Sequence, residues 1–581
     1  MTETDTGSEN PTNAASPYDQ SGRYDAAALR EVFEQHLTYL AGVERNVHRY
    51  AHRTALSDPA TGGSWTYAQL GEDVRRIAGG LFRRGVRARQ LVMVELPNSP
   101  EFALLYPAAN TLRGIFSPTN FRLAPGEVAY LVEEARPAVL VYDTDRTADL
   151  AQALASVALR PHLLVAVGDG ERIPGSVGWD DIAGGEPIAA AELEELGAGL
   201  PPASVYDETT RLYTSGTTGL PKAVPLPSLV DLMSAHDVIM HFPLSPFDKT
   251  LNMTPLFHRG GLYSGGPNPV FYVGAENVTL RSFDPDVVLD LVESEKLTYL
   301  IGAPATLYRL ADAQERRPRD VSALKGIVTM GAPLDRAAAL RFQRVLTPRI
   351  FNGYGTSETF WNTVLRPEDL PDGAGSTGRA STDDDVAVAR AHPDRLGDPS
   401  DTVPRDGQTI GEFATRSVKA GYSYLGNAAA EAGKIRDGWF FPGDLATWDE
   451  DEIVTIVGRK DDMIISGGEN VHPVQVEAAL AEHPAVADSI VVGVPDDEWG
   501  QVVAAYVVRR SGGELPDDDA AAAEFDAFLR DHPGIARYKR PRLYRFVDGS
   551  DIPFNATGKK LHYRKQEQAA ADAASGLFLA R

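Results

Sequence analysis

The chain has 581 residues, 43% of them hydrophobic, and its 81 acidic and 56 basic residues give a formal net charge of -25. This composition can bury a large core, and the negative charge argues against a general nucleic-acid or anionic-membrane surface. The chain has no cysteine, which excludes disulfides, thiolate metal sites and a cysteine nucleophile.

Residues 1–22 are polar and acidic without apolar periodicity, which predicts a disordered tail rather than a targeting signal. The sequence contains no run of about 18 apolar residues, so we expect a cytoplasmic protein with no membrane partner. We also expect no nucleic-acid partner, because the chain as a whole is strongly acidic. A small phosphate ligand would have to bind at a local basic site. The sequence leaves the oligomeric state open.

Helix-like and strand-like segments alternate after the tail. Residues 92–98 and 138–144 are apolar like buried strands, and residues 99–114 have a helical pattern that begins with Ser99 as the cap and Pro100 at the first position. This alternation predicts an α/β fold in which helices cover twisted, mostly parallel sheets.

A charged run at residues 459–461 marks a change in the character of the chain. Short helical and strand-like segments follow it and predict a compact α+β unit. The sequence therefore predicts three parts: the tail at residues 1–22, a large N-terminal lobe at residues 23–460 and a small C-terminal lobe at residues 461–581.

Residues 212–224, LYTSGTTGLPKAV, combine hydroxyl side chains and glycines directly after a strand-like lead-in. Such a loop turns tightly and offers N–H and O–H donors to a phosphate, and Lys222 adds a positive charge. It is not a P-loop, because two residues separate Gly219 from the lysine and Ala223 stands where a Ser or Thr would bind Mg²⁺. The alternative is a flexible surface loop of small polar residues.

The loop resembles the phosphate-binding signature of the AMP-forming adenylating enzymes, the superfamily of acyl-CoA synthetases, peptide-synthetase adenylation domains and luciferases. Later motifs follow in the order of that superfamily: GAPL at 331–334, NGYGTSET at 352–359, GWFFPGDLA at 438–446, GRKDDMIISGGENVHPVQVE at 458–477 and NATGKK at 555–560. The resemblance covers nearly the whole chain and favours an acyl-CoA synthetase. It implies that the small lobe is a mobile lid.

The resemblance implies that ATP binds in the crevice outside the carboxyl ends of several strands. The residues that it assigns to ATP and AMP are Thr214, Ser215, Gly216, Thr217, Thr218, Gly219, Lys222, Gly331, Ala332, Pro333, Asn352, Gly353, Tyr354, Gly355, Asp444 and Arg459. Among these, residues 331–333 and 352–354 face adenine, and Asp444 with Arg459 binds the ribose diol.

The catalytic residues that the resemblance implies are Thr356 at the α-phosphate, Glu358 on a Mg²⁺ ion and Lys559 near the transferring phosphoryl group. One carboxylate is enough for Mg²⁺, because phosphate oxygens and water complete its coordination. Lys560 directly follows Lys559 and competes with it for the catalytic role.

The resemblance also places the substrate pocket and the hinge of the lid. It assigns His258, Arg259, Gly260 and Gly261 to the acyl pocket and Asp461 to the hinge. Arg259 departs from the family, which usually has an uncharged residue there, and it either contacts an anion or points into solvent. The family also usually has Gly at Ala223 and often Thr at Pro442, so a hydroxyl contact at residue 442 is in doubt.

The implied activity is a two-step ligation that uses ATP and Mg²⁺. A carboxylic acid is ionised at neutral pH, so it attacks the α-phosphate without a general base and releases pyrophosphate. The acyl-adenylate then passes its acyl group to the thiol of CoA or of a carrier-protein phosphopantetheine. Two alternatives stay open: an enzyme of secondary metabolism that adenylates nitrite to diazotise an amine, and a catalytically silent sensor of AMP or acyl ligands.

Overall fold

The computed structural model of the chain describes residues 27–215, 221–392, 395–466, 469–496, 499–510, 517–532, 535–554 and 560–581. The predicted tail, residues 216–219 of the phosphate loop and Lys559 lie outside these ranges.

The large lobe contains most of the strands. They are β1 (Thr54–Asp58), β2 (Gly63–Thr66), β3 (Leu91–Glu95), β4 (Ile115–Pro118), β5 (Val139–Asp143), β6 (Leu163–Val167), β7 (Val177–Gly178), β8 (Glu208–Ser215), β9 (Pro221–Pro227), β10 (Lys249–Asn252), β11 (Glu276–Val278), β12 (Tyr299–Gly302), β13 (Gly326–Met330), β14 (Ile350–Thr356), β15 (Phe360–Leu365), β16 (Arg379–Ala380), β17 (Asp384–Ala389), β18 (Gly411–Ser417), β19 (Ile435–Arg436), β20 (Trp439–Phe440), β21 (Asp444–Trp448) and β22 (Val454–Arg459).

Helices connect many of these strands. They are α1 (Ala27–His36), α2 (Tyr39–Arg49), α3 (Tyr67–Arg83), α4 (Pro100–Thr111), α5 (Pro125–Ala135), α6 (Thr147–Ser156), α7 (Trp179–Ala183), α8 (Ala190–Gly197), α9 (Ser228–His241), α10 (Arg259–Tyr263), α11 (Pro267–Val273), α12 (Pro285–Glu295), α13 (Pro304–Arg316), α14 (Arg336–Val345) and α15 (Ala428–Ala432).

The small lobe has its own sheet and helices. They are β23 (Ile464–Ser466), β24 (Glu469–Val471), α16 (Pro473–Ala481), β25 (Val486–Asp496), β26 (Gly500–Arg509), α17 (Asp518–Asp531), β27 (Leu543–Phe546), α18 (His562–Ala574) and β28 (Leu579–Ala580).

The described strands form four sheets. Sheet A has the order β16-β15-β14-β13-β12-β10-β11-β1-β2 and is parallel from β14 to β1. Sheet B, β7-β6-β5-β3-β4-β8-β9, is parallel except for β9. Sheet C, β19-β20-β18-β21-β22 with β17 beside β18, is antiparallel, and sheet D, β24-β23-β26-β27-β28 with β25 beside β26, belongs to the small lobe. The predicted α/β class is therefore confirmed, with mostly parallel sheets A and B in the large lobe.

Helix α4 shows how the sequence sets the core of the large lobe. It begins as predicted, because the Ser99 hydroxyl accepts a hydrogen bond from the Phe102 backbone N–H at 3.3 Å and Pro100 occupies the first turn. The helix is apolar on all sides and buried, and it packs in one continuous cluster with residues of β3 and of β12 to β15. This cluster joins sheet A to sheet B.

None of the helices in the described ranges combines the length and the apolarity needed to cross a bilayer.

Candidate active site

Three of the predicted nucleotide segments lie at or next to strand ends in sheets B and A. In sheet B, Thr214 of β8 pairs with Lys222 of β9, so these strands flank the phosphate loop. In sheet A, Met330 at the end of β13 pairs with Gly353 of β14. Gly331 directly follows Met330 and is exposed with a φ of +82°, a backbone conformation that favours glycine. The GAPL segment therefore begins where β13 lies beside the NGYGTSET segment.

Tyr354 and Asp444 connect sheet A to sheet C. The Tyr354 hydroxyl donates to one Asp444 carboxylate oxygen at 2.5 Å, and Arg459 Nη1 donates to the other at 2.9 Å. Burial, together with the Asp444 carboxylate, raises the pKa of Tyr354 well above its usual value, so the phenol remains a donor. These bonds orient the carboxylate, and each oxygen keeps a lone pair that a ribose hydroxyl can use.

Glu358 is held by a segment that the sequence did not indicate. Its Oε1 accepts a hydrogen bond from the Tyr424 hydroxyl at 2.7 Å, and its backbone carbonyl accepts one from the Gly421 N–H at 2.9 Å. Lys222 Nζ lies 5.5 Å from the centre of the same Tyr424 ring. Glu358 Oε2 receives no hydrogen bond from the described residues. The carboxylate therefore suits a Mg²⁺ ion that takes its other ligands from phosphate and water.

The neighbouring polar residues of β14 stabilise the turn before β15. Thr356 Oγ1 accepts hydrogen bonds from the backbone N–H groups of Glu358 at 3.2 Å and Thr359 at 3.3 Å. The Asn352 side chain is buried and donates to the Ser376 carbonyl at 3.1 Å. This bond ties β14 to the chain around Ser376, and the contact of Asn352 with adenine stays a prediction.

The predicted pocket residues lie where β10 leads into α10. Burial, followed by the charge of Arg122, lowers the pKa of His258 to about 4, so its imidazole is neutral at pH 7. Its Nε2 makes no hydrogen bond within the described ranges. The two glycines pack too closely for side chains: a Cβ on Gly260 would lie 2.9 Å from Met330 Sδ, and one on Gly261 would lie 2.0 Å from a backbone oxygen.

Arg259 is buried, so the expectation that it points into solvent is wrong. Only 3% of the residue is exposed, and its guanidinium donates to the carbonyls of Ser357 at 2.6 Å and Lys419 at 2.7 Å. The rings of Tyr263 and Phe360 lie 5.3 and 5.4 Å from its guanidinium carbon. Burial lowers the pKa of Arg259, and the two carbonyls and two rings compensate part of the lost hydration. An anion contact by this residue stays a prediction.

Lys419 lies beneath this arrangement as a fully buried cation. Its Nζ is 2.9 Å from an Asp237 carboxylate oxygen and 3.3 Å from one of Asp384. It also donates to the Trp361 carbonyl and the Ser381 hydroxyl, both at 2.7 Å. The lysine thus joins α9, β15 and β17 to the chain that follows β18.

Lys434 is a second lysine near the site that the sequence analysis missed. Its Nζ donates to the Pro442 carbonyl at 2.8 Å, and Arg459 Nη2 donates to the same oxygen at 3.1 Å. Burial lowers the pKa of Lys434. The sequence shows a lysine at residue 434, but its proximity to Asp444 depends on the strand pairing within sheet C and could not be predicted.

The small lobe sequesters Lys560. Its Nζ donates to the Ser489 carbonyl at 2.5 Å, lies 2.7 Å from an Asp488 carboxylate oxygen and lies 3.6 Å from one of Glu477. These partners hold the ammonium inside the small lobe, which removes Lys560 as a free cation in this conformation. Lys559 stays the predicted catalytic lysine and lies outside the described residues.

Comparison with known proteins gives the family. Residues 43–420 match the AMP-binding enzyme family, and residues 475–559 match the AMP-binding enzyme C-terminal domain. The chain is 32% identical to a feruloyl-CoA synthase of Amycolatopsis sp, over 89% of this chain and 96% of that protein. It is also 32% identical to an indoleacetate-CoA ligase of Aromatoleum aromaticum, over 89% of this chain and 95% of that protein.

Solved structures agree with this result. The crystal structure of ATP-bound MatB from Rhodopseudomonas palustris matches with a TM-score of 0.80 at 26% identity, over 92% of this chain and 99% of that one. The fold and these matches define an AMP-forming acid-CoA ligase. The chain belongs to the AMP-binding enzyme family.

Proposed function

We propose that the protein converts a carboxylic acid to its acyl-adenylate with ATP and then transfers the acyl group to the thiol of CoA in the cytoplasm. The observation that carries this proposal is the meeting of sheets A, B and C around Glu358, Lys222 and Asp444. Lys222 lies on β9 of sheet B, Asp444 on β21 of sheet C and Glu358 in the turn between β14 and β15 of sheet A, and each belongs to a different motif of the family.

In the first step an oxygen of the ionised acid forms a bond to the α-phosphorus while the bond to pyrophosphate breaks. No proton has to be removed, so the protein needs to align the groups and neutralise charge. Lys222 and residues 214–219 contact the leaving pyrophosphate, and Asp444 holds the ribose. Glu358 holds Mg²⁺, which neutralises charge on the phosphate oxygens when it is bound.

Lys559 supplies the cation near the attacking oxygen, while Lys560 remains with its partners in the small lobe. In the second step the thiol sulfur bonds to the acyl carbon, AMP leaves and the thiol proton goes to solvent. The chain has no cysteine of its own, so this sulfur belongs to CoA or to a carrier-protein phosphopantetheine. The small lobe turns about Asp461 between the two steps.

We propose an acid that carries an aromatic ring as the substrate class. Aromatic side chains surround the predicted pocket segment. The centre of the Phe257 ring lies 4.2 Å from that of His258 and 5.8 Å from that of Phe121, and the ring centres of Tyr263 and Phe360 are 5.8 Å apart. The two relatives named for feruloyl and indoleacetate substrates point to the same class.

The test is release of pyrophosphate from ATP and Mg²⁺ across aryl acids, aliphatic acids, amino acids and nitrite with an arylamine. Products are identified by mass after addition of CoA or a phosphopantetheinyl carrier protein. We expect an aryl acid to give pyrophosphate, AMP and an acyl-CoA. Release by aliphatic acids alone would contradict the substrate class. Binding of AMP without release by any substrate would support the silent sensor.

Lys559→Ala tests the catalytic lysine, with Lys560→Ala as the matched control. We expect the first variant to lose adenylate formation by orders of magnitude, because a cation at developing charge is worth several kcal/mol. The control should keep most of that rate. Lys559→Ala should still convert a synthetic acyl-adenylate and thiol to thioester if the small lobe turns away first. Equal losses in both half-reactions would contradict the rotating lid.

Asp461→Pro tests the hinge, because proline fixes φ and restricts the preceding residue. We expect adenylate formation to survive and thioester formation to fall. If both steps stay intact, the hinge lies at another residue.

The nitrite alternative stays open, since an anion contact at Arg259 would suit nitrite. Both terminal nitrogens of the guanidinium donate to backbone carbonyls, while its buried Nε has no hydrogen-bond partner among the described residues. The alternative is retained as an arm of the substrate panel.

A further inference from the structure

Residues 417–425, which belong to none of the predicted site motifs, contact two of them. We call them the 417–425 segment. Its Gly421 N–H donates to the Glu358 carbonyl at 2.9 Å, and its Leu425 N–H donates to the Ala223 carbonyl at 3.0 Å. The first bond reaches the predicted metal-binding motif, and the second reaches the strand that follows the phosphate loop. The segment therefore links sheet A to sheet B at the site.

The 417–425 segment is fixed to the large lobe at its beginning. Lys419 is fully buried between the carboxylates of Asp237 and Asp384, and its carbonyl accepts the bond from Arg259. The Tyr422 hydroxyl accepts a hydrogen bond from the Ser417 N–H at 2.7 Å, which closes the chain on itself. Side chains farther along the segment are thus presented from a rigid base.

Tyr424 lies between the two predicted charged groups of the site. Its hydroxyl donates to Glu358 Oε1 at 2.7 Å, and the face of its ring lies 5.5 Å from Lys222 Nζ. A hydrogen bond to a carboxylate is directional, and a cation over a ring is attracted to its face. The Tyr424 side chain can therefore orient both the Glu358 carboxylate and the Lys222 ammonium.

We propose that Tyr424 is a positioning residue, whose hydroxyl orients the Glu358 carboxylate toward the metal-nucleotide complex and whose ring orients Lys222 toward the phosphates. The proposal rests on the proposed function for the roles of Glu358 and Lys222. It goes beyond that function by assigning the geometry of the metal-binding carboxylate to a residue outside the motif.

Calorimetric binding of ATP without acid substrate tests the hydroxyl. It is measured on the full chain with Mg²⁺ and again in EDTA. Tyr424→Phe keeps the ring over Lys222 and removes only the donor to Glu358. Mg²⁺ raises the affinity for ATP by some factor, and we expect this factor to fall about tenfold in Tyr424→Phe, which is the effect of losing one hydrogen bond to a charged group. The affinity in EDTA should not change.

Tyr506→Phe is the matched control. The Tyr506 hydroxyl also donates to a carboxylate, that of Asp572, at 2.7 Å, and the two residues lie on β26 and α18 of the small lobe, outside the predicted site motifs. This variant should bind ATP as the unaltered protein does under both conditions. Magnesium-dependent binding of Tyr424→Phe equal to that of the control would overturn the proposal. An equal loss with Mg²⁺ and in EDTA would also overturn it, because the effect would not pass through the metal.

Two further variants separate positioning from general damage. In a Glu358→Gln background, Tyr424→Phe should cause no further loss of magnesium-dependent affinity, because the two changes act through one contact. Additive losses in this double-mutant cycle would contradict action through Glu358. Tyr424→Leu removes the ring as well and should also weaken ATP in EDTA through Lys222. Binding in EDTA as strong as that of Tyr424→Phe would contradict the role of the ring.

The binding measurements are independent of the ligase reaction. If the unaltered chain releases no pyrophosphate with any acid, the proposed function fails, while the magnesium dependence of Tyr424→Phe still decides the role of Tyr424.

Discussion

Glu95 offers a test of how burial sets the pH dependence of stability. This carboxyl group stands at the end of β3 and is fully buried. The Thr119 hydroxyl reaches one oxygen at only 3.5 Å, and the other oxygen makes no hydrogen bond with the described residues. Burial raises the pKa of Glu95 from 4.5 to about 8, since the charged form loses its hydration.

The direction of the effect follows from proton linkage. Between pH 4.5 and about 8 the folded protein keeps the Glu95 proton while the unfolded chain releases it. The stabilisation is therefore complete below pH 4.5 and is lost as the pH rises toward the folded pKa. At roughly 1.4 kcal/mol per pH unit, the whole loss is at most about 5 kcal/mol.

Glu95→Gln keeps the shape of the side chain and removes its titration. We compare the free energy of unfolding of the variant with that of the unaltered protein. From pH 5.5 to pH 7.5 we expect this difference to shift by roughly 2 to 3 kcal/mol in favour of the variant. Urea unfolding followed by tryptophan fluorescence measures the difference at each pH. The exposed Glu194, changed to Gln, is the control and should show no such trend. A constant difference between Glu95→Gln and the unaltered protein would refute the reasoning.

Three further substitutions test the support of the site. Arg259→Ala should lower the specificity constants for all accepted acids by similar factors, because its donors hold backbone carbonyls; a loss confined to one acid or to nitrite would indicate an anion contact. Lys419→Met should cost about 3 to 5 kcal/mol in urea unfolding, because it leaves the buried carboxylate of Asp237 without its cation; unfolding at the original midpoint would contradict this. Gly355→Ala should abolish ATP binding, since its Cβ would lie 1.4 Å from the Phe360 carbonyl oxygen and force β14 from β15; unchanged calorimetric binding would show that the hairpin adapts.

Local patterns were enough to predict much of the fold. The cap at Ser99 and the apolar runs of β3 and β5 depend on neighbours within a few residues, so they can be recognised in the sequence alone. The strand-like lead-in to the phosphate loop was predicted for the same reason, and it corresponds to β8. The assigned roles of the site residues and the boundaries of the lobes stay predictions.

Contacts between distant parts of the chain could not be predicted in this way. Tyr424 bonds to a carboxylate 66 residues away, and no periodicity in the sequence records that distance. The sequence showed the charge of Arg259 but not the two carbonyls that allow its burial. Glu95 could be recognised at the end of an apolar run. That its Oε2 has no hydrogen-bond partner among the described residues depends on how neighbouring strands pack.

The bond between Arg459 and Asp444 has a consequence for motion of the small lobe. Arg459 is the last residue of β22, and Lys460 follows it. The Lys460 backbone N–H donates to the Gly443 carbonyl at 2.8 Å, and its Nζ lies 3.1 Å from a Glu412 carboxylate oxygen, so this residue is also bound to the large lobe. These bonds hold the chain to the large lobe as far as Lys460, and the predicted hinge, Asp461, is the next residue. If the proposed ribose contact is correct, a nucleotide on Asp444 changes the hold on Arg459, two residues before this point. Nucleotide occupancy and the stiffness at the base of the lid are then thermodynamically linked, so a change in either alters the other.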